Sequence, residues 1–144
     1  MKKLFIALLI GIGVYGYIQN NPDVISTFTR ESIQDNQAIR GAYQNQLSDI
    51  QVGGSGKVSR ILSDDNQGSR HQRFILRLSS GQTLLVAHNI DLAPKISTLQ
   101  KGDVVQFFGE YEWNSRGGVI HWTHHDPGGQ HVAGWLKHNG RKYE

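Results

Sequence analysis

Cysteine is absent from this chain of 144 residues. That excludes disulfides, thiolate metal sites and a lipid-bearing N-terminal cysteine. The fold must be held by its own core, or by a metal bound through other ligands. A large charge excess is also missing. Lys and Arg number 15 against 12 Asp and Glu, a formal +3, and setting aside Lys2 and Lys3 leaves 13 against 12, or about +1. A charge-driven nucleic-acid binder shows a strong basic surplus, so nucleic acid is not a favoured partner. The N-terminal apolar run, Leu4 to Ile18, has 15 residues, short of the roughly 20 needed by a spanning helix. Preceded by Met1-Lys2-Lys3, it has the make-up of a secretory signal or a short signal anchor. Val14 and Gly16 are small enough for cleavage after Gly16, without a clear A-x-A sequence. Motifs of known chemistry are absent too: no G-x-S-x-G, no H-E-x-x-H and no phosphate-cradling glycine loop.

The pattern along the chain predicts three segments: a signal peptide or signal anchor over 1–21, a tether running into a helix over 22–52, and a β domain over 53–144. Ala38, Ile39, Ala42, Tyr43 and Leu47 recur at helical steps, with Ser32 and Asp35 as a weak capping pair. Gly53-Gly54-Ser55-Gly56 punctuates the chain. Strands are then expected at Lys57–Leu62, Gln72–Leu78, Thr83–Ile90, Val104–Trp113 and Val119–His125, linked by short turn-rich stretches. Leu92–Gln100 is long enough for about two helical turns, with Asp91 as its cap. Five short strands with a helix between the third and fourth match an OB-like antiparallel barrel.

All seven histidines lie at or beyond residue 71, and three of them, with one carboxylate, fall within His121-Trp122-Thr123-His124-His125-Asp126. Imidazole titrates near neutral pH and binds borderline metals. In a five-stranded barrel the third and fifth strands run parallel, so their ends bring His88, Asn89 and Asp91 toward His124, His125 and Asp126. The candidate ligand or metal site is therefore His71, His88, His121, His124, His125 and Asp126. Within it, His88, His124, His125 and Asp126 are the metal-ligand set. On a continuous strand His121 and His125 stand roughly 13 Å apart, too far to share one ion. The candidate cofactor is a divalent metal such as zinc, which needs three or four ligands. Asp64, Asp65, Asn89, Asp91 and His131 are the supporting residues. Asp64-Asp65-Asn66-Gln67-Gly68 reads as a turn rather than a calcium loop, since the bidentate Glu is missing.

Placing Leu78 opposite Thr83 in the hairpin sets Phe74, Leu76, Leu78, Leu85 and Ala87 on the core face. His71, Arg73, Arg77 and His88 then share the outer face, where Arg73 and Arg77 are candidate ligand contacts. Trp135 and Tyr143 are expected to pack over the barrel, and His138 to lie at the surface.

With His121-Trp122-Thr123-His124 in view, and with Asp64-Asp65, Gly68, His71-Gln72, Phe74, His88-Asn89-Ile90-Asp91, Gly102-Asp103, Gly109-Glu110-Tyr111-Glu112-Trp113, His125-Asp126-Pro127, Gly134-Trp135 and Tyr143, the chain resembles an uncharacterised bacterial family of small exported proteins. That family is marked by the His-Trp-Thr-His motif, and the likeness covers residues from about 32 to 144. The resemblance implies a shared domain of unknown function and supplies no activity.

The residues themselves point first to a cell-envelope binding domain, exported to the periplasm or the outer face of the inner membrane. It would hold a metal ion, a polyanion or a glycan fragment, touching the membrane through its N-terminal segment if that is uncleaved. The alternatives are a hydrolase, on phosphodiesters for example, using a histidine base or a metal-bound water, and a purely structural envelope module.

Overall fold

Strict alternation of apolar side chains decides the architecture. His71–Arg77 (β2), Thr83–Asn89 (β3) and Val104–Glu112 (β4) each bury every second residue, as strands with one face on a core must. The computed structural model describes Gln19 and residues 35–144. The signal or anchor over 1–21 and the tether up to residue 34 lie outside the described residues, Gln19 apart. Before β2 comes the long strand Ile50–Ile61 (β1), and after β4 come Val119–His121 (β5), Trp135–His138 (β6) and Arg141–Tyr143 (β7).

β1 bridges two neighbours. Residues 50–57 pair with β4, while residues 57–61 pair with β2 across a bulge between Val58 and Arg60. With β2–β3 antiparallel, β3–β5 parallel and β5–β4 antiparallel, five strands close in the order 1-2-3-5-4-1. This is the expected OB-like barrel. Its interior holds Val58, Phe74, Leu76, Leu84, Val86, Val105, Phe107, Tyr111 and Ile120, all 1% exposed or less.

Three expectations about element boundaries need correction, and a fourth about register. Gly53-Gly54-Ser55-Gly56 is part of β1 rather than a break before it. A Cβ on Gly54 would meet the Phe107 ring at 2.7 Å and Ile39 at 3.1 Å, so the glycine lets the helix before β1 approach the barrel. Leu92–Gln100 forms turns, with no helix. Pro94 has no amide hydrogen to continue one, and the buried Gln72 side chain takes over the backbone of Ile96, accepting from its N–H and donating to its carbonyl, each at 2.9 Å. The fifth strand stops at His121, because Trp122 has φ 55° and leaves the sheet.

The β2–β3 register is also shifted by one. Arg77, not Leu78, faces Thr83, because the loop is the three residues Ser79–Gly81, closed by the bond from Leu78 N–H to Gln82 O at 2.9 Å. A one-residue slip exchanges faces. Leu84, Val86 and His88 therefore point inward, and Leu85, Ala87 and Asn89 outward.

The helix α1 covers residues 35–44, and buries Ile39 and Ala42 in the same core. Its end is fixed by Gln46 at φ 52°, with Leu47 N–H bonded to Ala42 O and Gln46 N–H to Tyr43 O, the paired pattern of a Schellman cap. β6 extends the sheet beside β4, and β7 folds back on it through Asn139-Gly140, both at positive φ. Tyr143 is buried as expected, Trp135 is only half-buried and stacks on Phe108, and Leu136, not foreseen, fills the core. Residues 35–144 form one compact unit.

Candidate functional site

The parallel pairing of β3 with β5, Leu85 opposite Val119 and Val86 opposite Ile120, carries the segment after β5 to the end of β3. His88 is fully buried there. Its Nε2 donates to Pro94 O at 3.1 Å, so Nδ1 accepts from the Thr123 hydroxyl at 2.8 Å. Burial, with His124 and His71 close enough to repel a second positive charge, lowers its pKa from 6.5 to about 4. His88 is a neutral core residue with both nitrogens in use, not a member of an outer face.

Two neighbouring imidazoles are anchored to main-chain carbonyls as well. His124, only 4% exposed, donates from Nδ1 to His125 O at 2.8 Å, and His71 donates from Nδ1 to Ser69 O at 2.8 Å. His125 is exposed. Asp126 is occupied with its own loop, accepting from the N–H groups of Gly128, Gln130 and His131 at 2.8–2.9 Å, and these bonds hold its carboxyl below the usual range. His71, His88 and His124 are thus brought together, while His125 and Asp126 do not join them in a ligand set. Among the described residues no group of three or more His, Asp or Glu side chains is arranged to hold a metal ion.

His121 and His131 form a second cluster around Glu110. His131 lies flat on Trp122, centroids 3.9 Å apart, donates from Nδ1 to Val132 O at 2.8 Å, and pairs through Nε2 with the Glu110 carboxylate. Partial burial opposes its charge, but Glu110, the Val132 carbonyl and Asp126 outweigh it, and its pKa is raised. His121 Nε2 is buried without a hydrogen-bond partner, 3.6 Å from Glu110 and 3.4 Å from Glu112.

The supporting residues tie loops together. Asp64 pairs with Lys95. Asp65 bridges to His71 through the backbone and accepts from Gln67 N–H at 3.0 Å. Asn89 accepts from Asp91 N–H at 2.9 Å. Asp91 caps no helix; it receives Arg70 through the backbone N–H at 2.8 Å and Nε at 2.7 Å, which lowers its pKa. His138, expected at the surface, is 2% exposed and donates from Nε2 to Asp103 at 2.8 Å.

Arg73 and Arg77 do lie on the outer face of β2, where they have basic company. Lys57 stands opposite Arg77, and Arg60 opposite Ile75. Ile75 in turn faces Leu85, and Leu85 faces Val119. Cations therefore frame an apolar strip. β1, β2 and β3 contain no Asp or Glu, and none of these four cations is in an ion pair among the described residues. Like charges directly across a strand pair destabilise it, so the Lys57–Arg77 pair has no structural benefit of its own.

Residues 23–144 match the family described as Protein of unknown function (DUF3465). The chain belongs to the DUF3465 family. Comparison with curated proteins finds no match. The DUF3465 match includes both α1 and the β6–β7 hairpin, so the family unit is larger than the five-stranded barrel alone.

In this DUF3465 chain, sequence reasoning missed Lys57, Arg60, Glu110 and Glu112 as site residues. Lys57 and Arg60 follow from strand alternation once the bulge at Val58–Arg60 is known, and Glu110 from its register opposite His121. The β6–β7 hairpin was announced by Asn139-Gly140, a strong two-residue turn sequence.

Proposed function

We propose that this domain is a non-catalytic binding module of the cell envelope that takes an acidic glycan along the outer face of β1–β2–β3. One observation carries the reading: Lys57, Arg60, Arg73 and Arg77 on β1 and β2 flank Ile75, Leu85 continues the apolar strip on β3, and the three strands hold no carboxylate. Arginine forks suit carboxylate and sulfate oxygens, while the apolar strip suits the flat faces of sugar rings. Small barrels of this strand order commonly bind oligosaccharides on the face of strands 2 and 3. The fold alone does not assign that role; the uncompensated cations support it. Export is inferred from the Met1–Ile18 segment.

The imidazoles support a structural role beside this face. With His88, His124, His71 and His131 each bonded to a main-chain oxygen, they hold loops and strand ends in place.

Isothermal titration of the purified protein with heparin-derived oligosaccharides tests the reading. Binding is expected at low ionic strength and should weaken steeply as salt screens the cations. The double variant R73E/R77E should lose at least about 10-fold in affinity, or ~1.4 kcal/mol, without a change in melting temperature, and neutral dextran oligomers should not bind. Affinity unchanged in the variant would remove the face from the account.

A further inference from the structure

A separate cleft lies where α1, the β2–β3 turn and the loop after β4 meet. Its volume is about 390 Å³, and its walls include Arg40, Tyr43, Ser80, Gln82, Thr83 and Arg116. That is the size of a small-ligand pocket, roughly 300–1,000 Å³. Among the described residues no Asp or Glu lines it, and neither guanidinium has an ion-pair partner.

The walls are fastened to one another. Asn36 Nδ2 donates to Ser79 Oγ at 2.8 Å and Tyr43 OH to Ser115 O at 3.2 Å, joining α1 to both loops. Gln82 Nε2 donates to Gly117 O at 2.8 Å and Thr83 Oγ1 to Arg116 O at 3.0 Å, joining the loops to each other. A cleft held in this way loses little freedom when filled, which favours binding. The bond to Gly117 fixes the Gln82 amide, and its Oε1 is left as a buried acceptor without a donor. Buried acceptors normally have partners. That oxygen is closed off from solvent, so what the wall offers is two fork-shaped cations, Arg40 and Arg116, beside the Ser80, Tyr43 and Thr83 hydroxyls.

We infer that this cleft binds a small polyol carrying one oxyanion, a sugar phosphate or a sugar acid, with Arg40 and Arg116 on the anion and the Tyr43 and Ser80 hydroxyls on the polyol. The cleft's walls include none of Lys57, Arg60, Arg73, Ile75, Arg77 and Leu85, although Thr83 is the β3 neighbour of Arg77, so either site can fail alone. Titrations of the full protein with glucose 6-phosphate, glucuronate, inorganic phosphate and glucose, followed by NMR, test it. Saturable shifts confined to Arg40–Gln44, Ser80–Thr83 and Ser115–Gly117 are expected with at least one of the acidic sugars; which of them binds distinguishes phosphate from carboxylate. Phosphate and glucose alone should bind at least about 10-fold more weakly. The variant R40A/R116A should lose at least about 10-fold in affinity at unchanged melting temperature, because both side chains are exposed, and R73E/R77E should bind as the parent does. The inference is overturned by no saturable shift with either acidic sugar, by inorganic phosphate binding as tightly as they do, or by affinity that survives R40A/R116A.

Discussion

His88 has no water-exposed surface, a carbonyl on one ring nitrogen and a hydroxyl on the other. Protonating it would put a charge in the core and set a second donor against the Thr123 hydroxyl. Its folded pKa of about 4 lies below the 6.5 of the unfolded chain. The stability it contributes is therefore fully present above pH 6.5 and is lost as pH falls toward and through 4, an effect of roughly 3 kcal/mol at full protonation. Asp91, Asp103 and Asp126 have pKa values below their usual 3.8, so their contributions are lost only at lower pH. His131, with its raised pKa, works in the opposite sense, losing its contribution as pH rises through the folded value. Urea unfolding between pH 7 and 4.5 should show stability declining, and a His88→Asn variant, less stable at neutral pH, should show a flatter profile. A parent profile independent of pH in that window would contradict the neutral core histidine.

At the level of elements, the barrel was legible because β2, β3 and β4 alternate cleanly. The side of the barrel on which His88 sits was not, because it depends on whether three or four residues make the turn after Leu78. Alternation gives the period of a strand; the loop gives its phase. The helix expected over Leu92–Gln100 depended on backbone groups that Gln72, a residue of another strand, intercepts, and no local pattern announces such a partner. The convergence of His71, His88 and His124 could be read from parallel third and fifth strands. What those imidazoles do there depended on carbonyls the sequence does not locate. The loop from Trp122 to Gly134 shows how tightly this end is closed. A Cβ on Gly134 would lie 1.9 Å from Trp122 O and 2.5 Å from Phe108 O, both main chain. Gly134→Ala should push the loop away from β4, lower stability by about 1–3 kcal/mol and disturb the stacking of Trp122 on His131. Thermal unfolding checks the first effect and tryptophan fluorescence the second; an unchanged melting temperature would mean that the loop is loosely seated.

Across the whole molecule, charges of opposite sign occupy different parts of the barrel wall. β1–β2–β3 carry Lys57, Arg60, Arg73 and Arg77 without a carboxylate, while β4 carries Glu110 and Glu112 beside His121. A formal charge near zero conceals this division: composition argued only against a charge-driven nucleic-acid binder and left a polyanion among the expected ligands, but it could not locate a basic face. The histidine-rich end and the basic face make opposite forecasts about where a ligand lands. NMR of isotope-labelled protein during titration with a heparin-derived oligosaccharide separates them. The account predicts that the largest shift changes fall on Lys57, Arg60, Arg73, Ile75, Arg77 and Leu85. Changes centred instead on His71, His121, His124 and Asp126, with the β1–β2–β3 face silent, would contradict it.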